Sequence, residues 1–231
     1  MSRDKLRLVA ASAMTGIRLT NLLIVFAVLL PPAGAWSQPV RTETGLVEGV
    51  QAGAVRLYKS IPFAAPPVGE LRWRGPLPPV PWNGVRQADK FGPICMQSGA
   101  SVPGAAAEPV SEDCLTLNIW TAAKSRDEKL PVMVWIPGGG FTQESASMPL
   151  YWGDTLASHG VIVVTINYRV GVLGFLAHPE LTRESANHSS GNYGLLDQIA
   201  ALAWIKRNID AFGGRSGPRH NMGTIGWLDV G

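Results

Sequence analysis

At 231 residues, with 46% hydrophobic and 16% charged side chains, the chain has the composition of a globular protein and lies outside the disordered class. Its formal charge is +3, but the lysines and arginines are scattered, which excludes the clustered footprint of a nucleic-acid binder and leaves a solvated, slightly cationic surface. The length allows one large domain or two small ones.

Arg3, Lys5, Arg7 and Arg18 precede nine apolar residues, Leu22 to Leu30, followed by Pro31-Pro32 and small residues. Spanning a bilayer takes about 20 apolar residues. Residues 1–37 therefore read as a secretory signal, cleaved after Ala33-Gly-Ala35 or Ala35-Trp-Ser37, with a retained membrane anchor as the alternative. Met14 is an alternative start. The expectation is a secreted or periplasmic protein with no membrane contact after signal cleavage.

Val40 to Tyr58 alternates loosely and carries Gly45, Gly49 and Gly53, which predicts short hairpin strands at a domain edge. The proline-rich stretch from Ile61 to Trp82 forbids helix or central strand and predicts an extended segment pinned by Trp73 and Trp82. A mobile loop is expected over 98–110, rich in Gly, Ala, Ser and Pro. Ser111 to Trp120 alternates apolar with polar and reads as a strand, followed by a charged turn over Thr121 to Lys129.

Val132 to Ile136 is a short continuous apolar run, the pattern of a strand buried on both faces in a parallel sheet. It leads directly into Gly138-Gly-Gly140. Bare N–H groups at a strand end suit a negative oxygen, so an oxyanion hole is one reading and a flexible turn the other. Gly160 to Asn167 is a second buried strand, rich in β-branched residues. A helical stretch around Pro149 to Ser158 supplies the crossover that parallel strands require.

Leu195 to Phe212 predicts a helix whose inner face is Leu195, Ile199, Leu202, Ile205, Ile209 and Phe212. Asp197 is placed in its first turn and Lys206 and Arg207 near its end, matching the dipole; Gly213-Gly214 ends it. Residues 215–231 show neither helical nor clean strand periodicity.

Cys95 and Cys114 are the only cysteines. In an exported protein an even count favours a disulfide, and closing that loop is worth about 3 kcal/mol; two buried free thiols are the alternative. The histidines at 159, 178, 188 and 220 are dispersed and near neither cysteine, so no metal spacing is present. No cofactor is expected.

Taken together, several stretches resemble the type-B carboxylesterase family, the α/β-hydrolases that include the cholinesterases. They are Ile61-Pro-Phe-Ala with Pro-Pro-Val-Gly-Glu-Leu-Arg-Trp73, Ser111-Glu-Asp-Cys-Leu-Thr-Leu-Asn118, Gly138-Gly-Gly-Phe141, Asn167-Tyr-Arg-Val-Gly-Val-Leu-Gly-Phe175, Gly191-Asn-Tyr-Gly-Leu-Leu-Asp-Gln198 and Asn208 to Gly214. The resemblance implies an α/β fold, namely the incomplete N-terminal part of an α/β-hydrolase with a mostly parallel central sheet and flanking helices. It places the N-terminal part of the esterase domain over 38–214 and a divergent tail, truncated or frame-shifted, over 215–231.

By that resemblance Gly139 and Gly140 donate backbone N–H groups to an oxyanion, and Cys95 and Cys114 form the family's first disulfide. Arg72 with Glu112, and Arg169 with Asp197, are structural ion pairs beneath the site. Pro137 stands where the family usually has His, and Ser60, where glycine is commoner, looks harmless. The family's nucleophile sits in a G-x-S-x-G elbow, with acid and His further along the chain. Family spacing puts the serine at Ile225, no G-x-S-x-G occurs in the sequence, and Gly214-Arg-Ser216-Gly-Pro218 fails at its last position. Ser145, Ser189 and Ser190 show no base and orienting group that would make a substitute triad.

The implied function is carboxylic-ester hydrolysis of a small-molecule ester through an acyl-enzyme, with no catalytic residue of the triad in these 231 residues, so that the chain by itself is expected to be inactive. A non-catalytic binding or adhesion relative is the alternative. A third reading is a fragment that does not fold stably, with the edge of its central strand unpaired. Asn187-His-Ser189 is a formal glycosylation sequon.

Overall fold

A computed structural model describes residues 38–97, 109–143 and 145–216, together with the backbone of 223–225. The expected export segment and all but the last two residues of the expected mobile loop lie outside the described residues.

The N-terminal hairpins form as expected: β1 (Val40–Arg41), β2 (Leu46–Glu48), β3 (Val50–Ala52) and the longer β4 (Val55–Pro62). The proline-rich segment runs extended apart from one 3₁₀ turn at Gly69–Leu71, because proline locks φ and offers no N–H. Both tryptophans pin it, Trp73 Nε1 donating to the Val172 carbonyl at 2.9 Å and Trp82 Nε1 to the Leu46 carbonyl at 2.9 Å. Then follow β5 (Val85–Gln87), β6 (Ile94–Cys95), β7 (Val110–Ser111), β8 (Thr116–Thr121) and β9 (Val132–Trp135). A 3₁₀ turn at Pro149–Tyr151 and α1 (Asp154–Ser158) carry the chain over to β10 (Ile162–Ile166). Beyond it lie α2 (Gly171–Phe175), α3 (Pro179–Glu184), α4 (Tyr193–Asn208) and β11 (Gly223–Ile225).

The central sheet has the order β11-β9-β10-β8-β4-β3. β9 and β10 pair in parallel, Val132 opposite Ile162, with the crossover between them, whereas β10–β8, β8–β4 and β4–β3 are antiparallel. Parallel pairing is thus concentrated around the strand that ends in glycines. Every residue of β8 and of β10 is buried. β9 differs from expectation: Val132 and Val134 are buried, while Met133 and Trp135 are only half-buried. The Trp135 ring lies 4.4 Å from that of Tyr151, so the second face is covered by the crossover's aromatic rather than by a packed core.

The register of β4 against β8 shifts between Tyr58 and Ile61. Ser60 sits inside the shift at φ +56°, the left-handed region that favours glycine. The serine expected to be harmless therefore carries local backbone strain, held by its N–H donating to Asn118 Oδ1 at 2.9 Å.

The helix of the sequence pattern is present but shorter, and its first turns are rotated from the expected face. α4 begins at Tyr193 and gives way to a 3₁₀ turn over Ile209–Phe212, with Gly213 closing it at φ +87°. Its inner face is Gly194, Asp197, Ala201, Trp204, Ile205 and Asn208. Of the six residues expected inside, Ile205, Ile209 and Phe212 are buried and Leu202 packs partly buried against the core, whereas Leu195 and Ile199 are exposed, Ile199 at 61%. Asp197 belongs to the second turn, not the first, and it is buried. Burial of Asp197 against Arg169 and of Trp204 in the core fixes the rotation.

The tail also departs from expectation. Gly223–Ile225 forms β11 and pairs in parallel with β9, Gly223 opposite Met133 and Ile225 opposite Trp135. The edge of β9 expected to be bare is covered.

Candidate oxyanion site

Backbone geometry at the end of β9 is unusual over three consecutive residues, with Gly139 at φ +136°, Gly140 at +59° and Phe141 at +61°. An added Cβ on Gly139 would collide with the Gln143 carbonyl, whereas one on Gly140 would meet nothing within 4 Å. Glycine is thus required sterically at 139 and conformationally at 140. The Gly139 carbonyl closes the loop, accepting from Thr142 N at 3.1 Å and Thr142 Oγ1 at 2.9 Å. Among the described residues, the N–H groups of Gly139 and Gly140 donate to no protein acceptor.

The segment after β10 braces this loop. Tyr168, buried, donates its hydroxyl to the Pro137 carbonyl at 2.9 Å, and Gly171 N donates to the Phe141 carbonyl at 2.6 Å. The Phe141 and Phe175 rings lie 4.9 Å apart. Pro137 is itself buried and uses its carbonyl, so the residue that replaces His removes no donor from the two glycines.

A buried polar cluster lies beneath. Asn118 Nδ2 donates to Thr165 Oγ1 at 3.0 Å and to the Ala146 carbonyl at 3.2 Å. Thr165 Oγ1 donates to the same carbonyl at 2.7 Å, and Ala146 N donates to Asn167 Oδ1 at 3.0 Å. Asn167 Nδ2 reaches the carbonyls of Pro93 and Cys114, each at 3.2 Å. Sequence reasoning missed this cluster and Tyr168. The available signal was polar Asn118 and Thr165 within otherwise apolar strands, where a buried polar group must find partners.

Arg169 and Asp197 form the buried ion pair that was expected. Arg169 Nε donates to Asp197 Oδ2 at 2.8 Å, Nη2 to Oδ1 at 2.7 Å, and the Arg169 backbone N–H to Oδ2 at 3.0 Å. Their side chains are 4% and 0% exposed. Burial pushes the Asp197 carboxyl above the usual range, and the Arg169 contacts oppose that rise. Arg72 and Glu112 also pair, through two contacts of 2.6 Å, but at 41% and 24% exposure they lie near the surface. Solvent screening reduces the worth of such a pair to about 0–1 kcal/mol. Hydrogen bonding to Arg72 lowers the Glu112 pKa. Between the two pairs, beside the Cys95–Cys114 disulfide, is a cavity of about 10 Å³. That is roughly the space of one water.

Two of the three serines weighed as substitutes for the nucleophile, Ser145 and Ser190, have structural partners. Ser145 Oγ lies 3.1 Å from Ser147 Oγ, and both serines are buried. Ser190 Oγ contacts Thr182 Oγ1 at 2.8 Å and accepts from His178 N. His178 Nδ1 accepts from Glu180 N at the start of α3. The Ser190 hydroxyl meets the backbone of His178, not its ring. Ser158 Oγ is 3.3 Å from His159 Nδ1 at the exposed end of α1, but donates to the Thr155 carbonyl.

A profile of the carboxylesterase family matches residues 37–218. The chain belongs to the carboxylesterase family. Among curated relatives, the fumonisin B1 esterase of Sphingopyxis macrogoltabida is 51% identical over 191 residues, covering 81% of this chain and 35% of that protein. The para-nitrobenzyl esterase of Bacillus subtilis (strain 168) is 46% identical over 180 residues, covering 77% of this chain and 36% of the relative. Among solved structures, a Geobacillus stearothermophilus carboxylesterase aligns with a TM-score of 0.70 at 46% identity, covering 78% of this chain and 36% of the other. The chain thus spans about a third of the length of these carboxylesterases, and its fold is part of the α/β-hydrolase fold.

Proposed function

We propose that the Gly138–Gly140 loop of this carboxylesterase-family chain is the oxyanion-binding element of a carboxylic-ester hydrolase. The observation that carries the reading is the pair of unpartnered amides, Gly139 and Gly140, at the end of a parallel strand and braced by Tyr168 and Gly171. Donors fixed in advance need no reorganisation as the carbonyl oxygen of a small-molecule ester becomes charged, and one such donor is worth about 2.7–4 kcal/mol in the transition state. The nucleophile, acid and His of the acyl-enzyme mechanism are not identified in these 231 residues. We therefore infer that the chain alone does not turn over esters, and that activity belongs to a polypeptide supplying those groups.

Purified chain incubated with a simple aryl ester is expected to release phenol at the background rate. Turnover abolished by a serine-directed organophosphate would overturn this. The encoding DNA, read in all three frames past the codon for Gly214, separates a frame shift, which would show G-x-S-x-G in another frame, from unrelated sequence.

Export remains part of the proposal. The charged and apolar character of residues 1–37 supports it, as does the disulfide, which persists in oxidising compartments. N-terminal sequencing of protein from an extracellular or periplasmic fraction should begin at Trp36 or Gln38; an intact Met1 would count against it.

A further inference from the structure

At the start of β9, the end away from the glycine loop, a cleft of about 350 Å³ opens beside β1, the 124–126 turn and Gly213. Its volume falls in the lower range of small-molecule sites. Four lining side chains are cationic, Arg41, Arg56, Lys124 and Arg126, and no Asp or Glu lines it. Six ion pairs occur among the described residues, and none includes any of these four.

Neighbouring carboxylates are engaged elsewhere or lie outside the lining. Glu128 Oε1 accepts from Lys124 N at 2.7 Å, Asp210 pairs with Lys129 at 3.3 Å, and Asp127 stands on the adjoining turn. Arg56 Nη2 donates to the Ala123 carbonyl, which fixes the guanidinium within the cleft. Ser125, also in the lining, accepts from Asp127 N and keeps its own proton to donate. Like charges gathered in one cleft, with no carboxylate in its lining, make a field that concentrates anions. Arginine forks present paired donors that match carboxylate and phosphate oxygens.

We propose that this cleft binds a compact oxyanion carrying two or more negative charges, of phosphate or polycarboxylate type. The site is independent of the oxyanion loop, since it uses none of the same residues and requires no ester chemistry.

The test is calorimetric titration of the purified 231-residue chain at fixed ionic strength with inorganic phosphate, pyrophosphate and citrate, using acetate and chloride as monovalent controls. Saturable one-to-one binding of at least one multivalent anion is expected, and the preferred anion distinguishes phosphate from polycarboxylate. Arg41→Gln combined with Arg126→Gln should weaken binding about 100-fold, roughly tenfold per arginine removed. Arg183→Gln, on exposed α3 and outside the cleft, should leave binding unchanged. In thermal melts the preferred anion should raise the midpoint of the parent chain and not of the double variant. Absence of saturable binding, equal binding by the double variant, or equal binding of acetate and chloride would each overturn the proposal.

Discussion

The buried pair Arg169–Asp197 is the contact whose loss should be felt most widely. Removing one partner leaves the other charge buried, a loss of about 3–5 kcal/mol. Asp197→Asn keeps the shape but leaves the guanidinium, 4% exposed, without its counter-charge. Arg169→Met leaves the carboxylate, fully buried, without its two guanidinium donors and with only the backbone N–H at 169. For a domain of this size such losses lower the melting midpoint by roughly 6–20 °C. The double variant Arg169→Met/Asp197→Leu removes both charges together. What it leaves is the Arg74 carbonyl, which accepted from Arg169 Nη2 at 2.9 Å, and the backbone N–H at 169, which donated to Asp197. Two orphaned neutral groups, the N–H buried and the carbonyl part-buried, set against the removed desolvation of both charges, bring its expected loss to about 1–3 kcal/mol, smaller than either single variant.

The same burial acts on the titration of Asp197. Burial raises its pKa above the ordinary 3.8 of an aspartate. A group raised on folding contributes stability below its unfolded pKa and loses it as pH rises through the folded value. Burial thus disfavours the ionised form of Asp197, and the three Arg169 contacts are what oppose it. Thermal and urea denaturation of the three variants, assembled as a double-mutant cycle, measures the coupling. A shift below about 3 °C for Asp197→Asn, or a double variant as unstable as the sum of the singles, would refute the reasoning.

Three further outcomes are expected. Gly139→Ala, whose Cβ would strike the Gln143 carbonyl, should prevent the loop from closing and lower the melting midpoint well beyond Gly140→Ala, which meets no neighbour and bears only the left-handed penalty of about 1–2 kcal/mol. Equal midpoints would show that the loop relaxes around the added methyl. Ser60→Gly should stabilise the chain by about 0.5–1 kcal/mol, the relieved φ strain less the extra freedom of glycine when unfolded; unchanged or reduced stability in urea would contradict this. Glu43, Glu112 and Asp210 have lowered pKa values, the first through its hydrogen bonds to Arg207, the second to Arg72 and the third to Ser216. Their contribution is present above the unfolded values and should be lost as pH falls below about 4.5. All three lie near the surface, 24–38% exposed, so the acid-side slope should flatten in high salt; a slope insensitive to salt would move the loss to buried groups.

Local chemistry was legible wherever one residue type decides the outcome. The glycines after β9 take left-handed angles, the prolines from 62 to 81 keep their segment extended, and the two cysteines form their disulfide. Strand order was partly legible, because the apolar run at 132–136 and the β-branched run at 162–166 do pair in parallel. Side-chain orientation was less so. Apolar periodicity alone assigned Leu195 and Ile199 to the inner face of α4, yet Gly194, Asp197 and Trp204 occupy it. A buried carboxylate carries no hydrophobic signal, so a pattern that counts only apolar residues rotates the helix away from it.

The same reason explains the misplaced depth of Arg72–Glu112 and the missed cluster around Asn118. Charge type and spacing identify a pair, but burial depends on what the rest of the fold lays over it. Leu195, Leu196 and Ile199 show this from the other side: α4 is apolar on its sheet-facing stripe and again on its outward one. A helix apolar on both sides has the pattern of an element covered on both sides. Periodicity then has two solutions, and the three donors that Arg169 directs at Asp197 select between them. Polar contacts on this helix thus decide an orientation that hydrophobicity leaves degenerate, which is why severing that one pair should disturb more than its own residues: the segment it fixes, 168–175, is the one whose hydroxyl and amide hold the glycine loop in place.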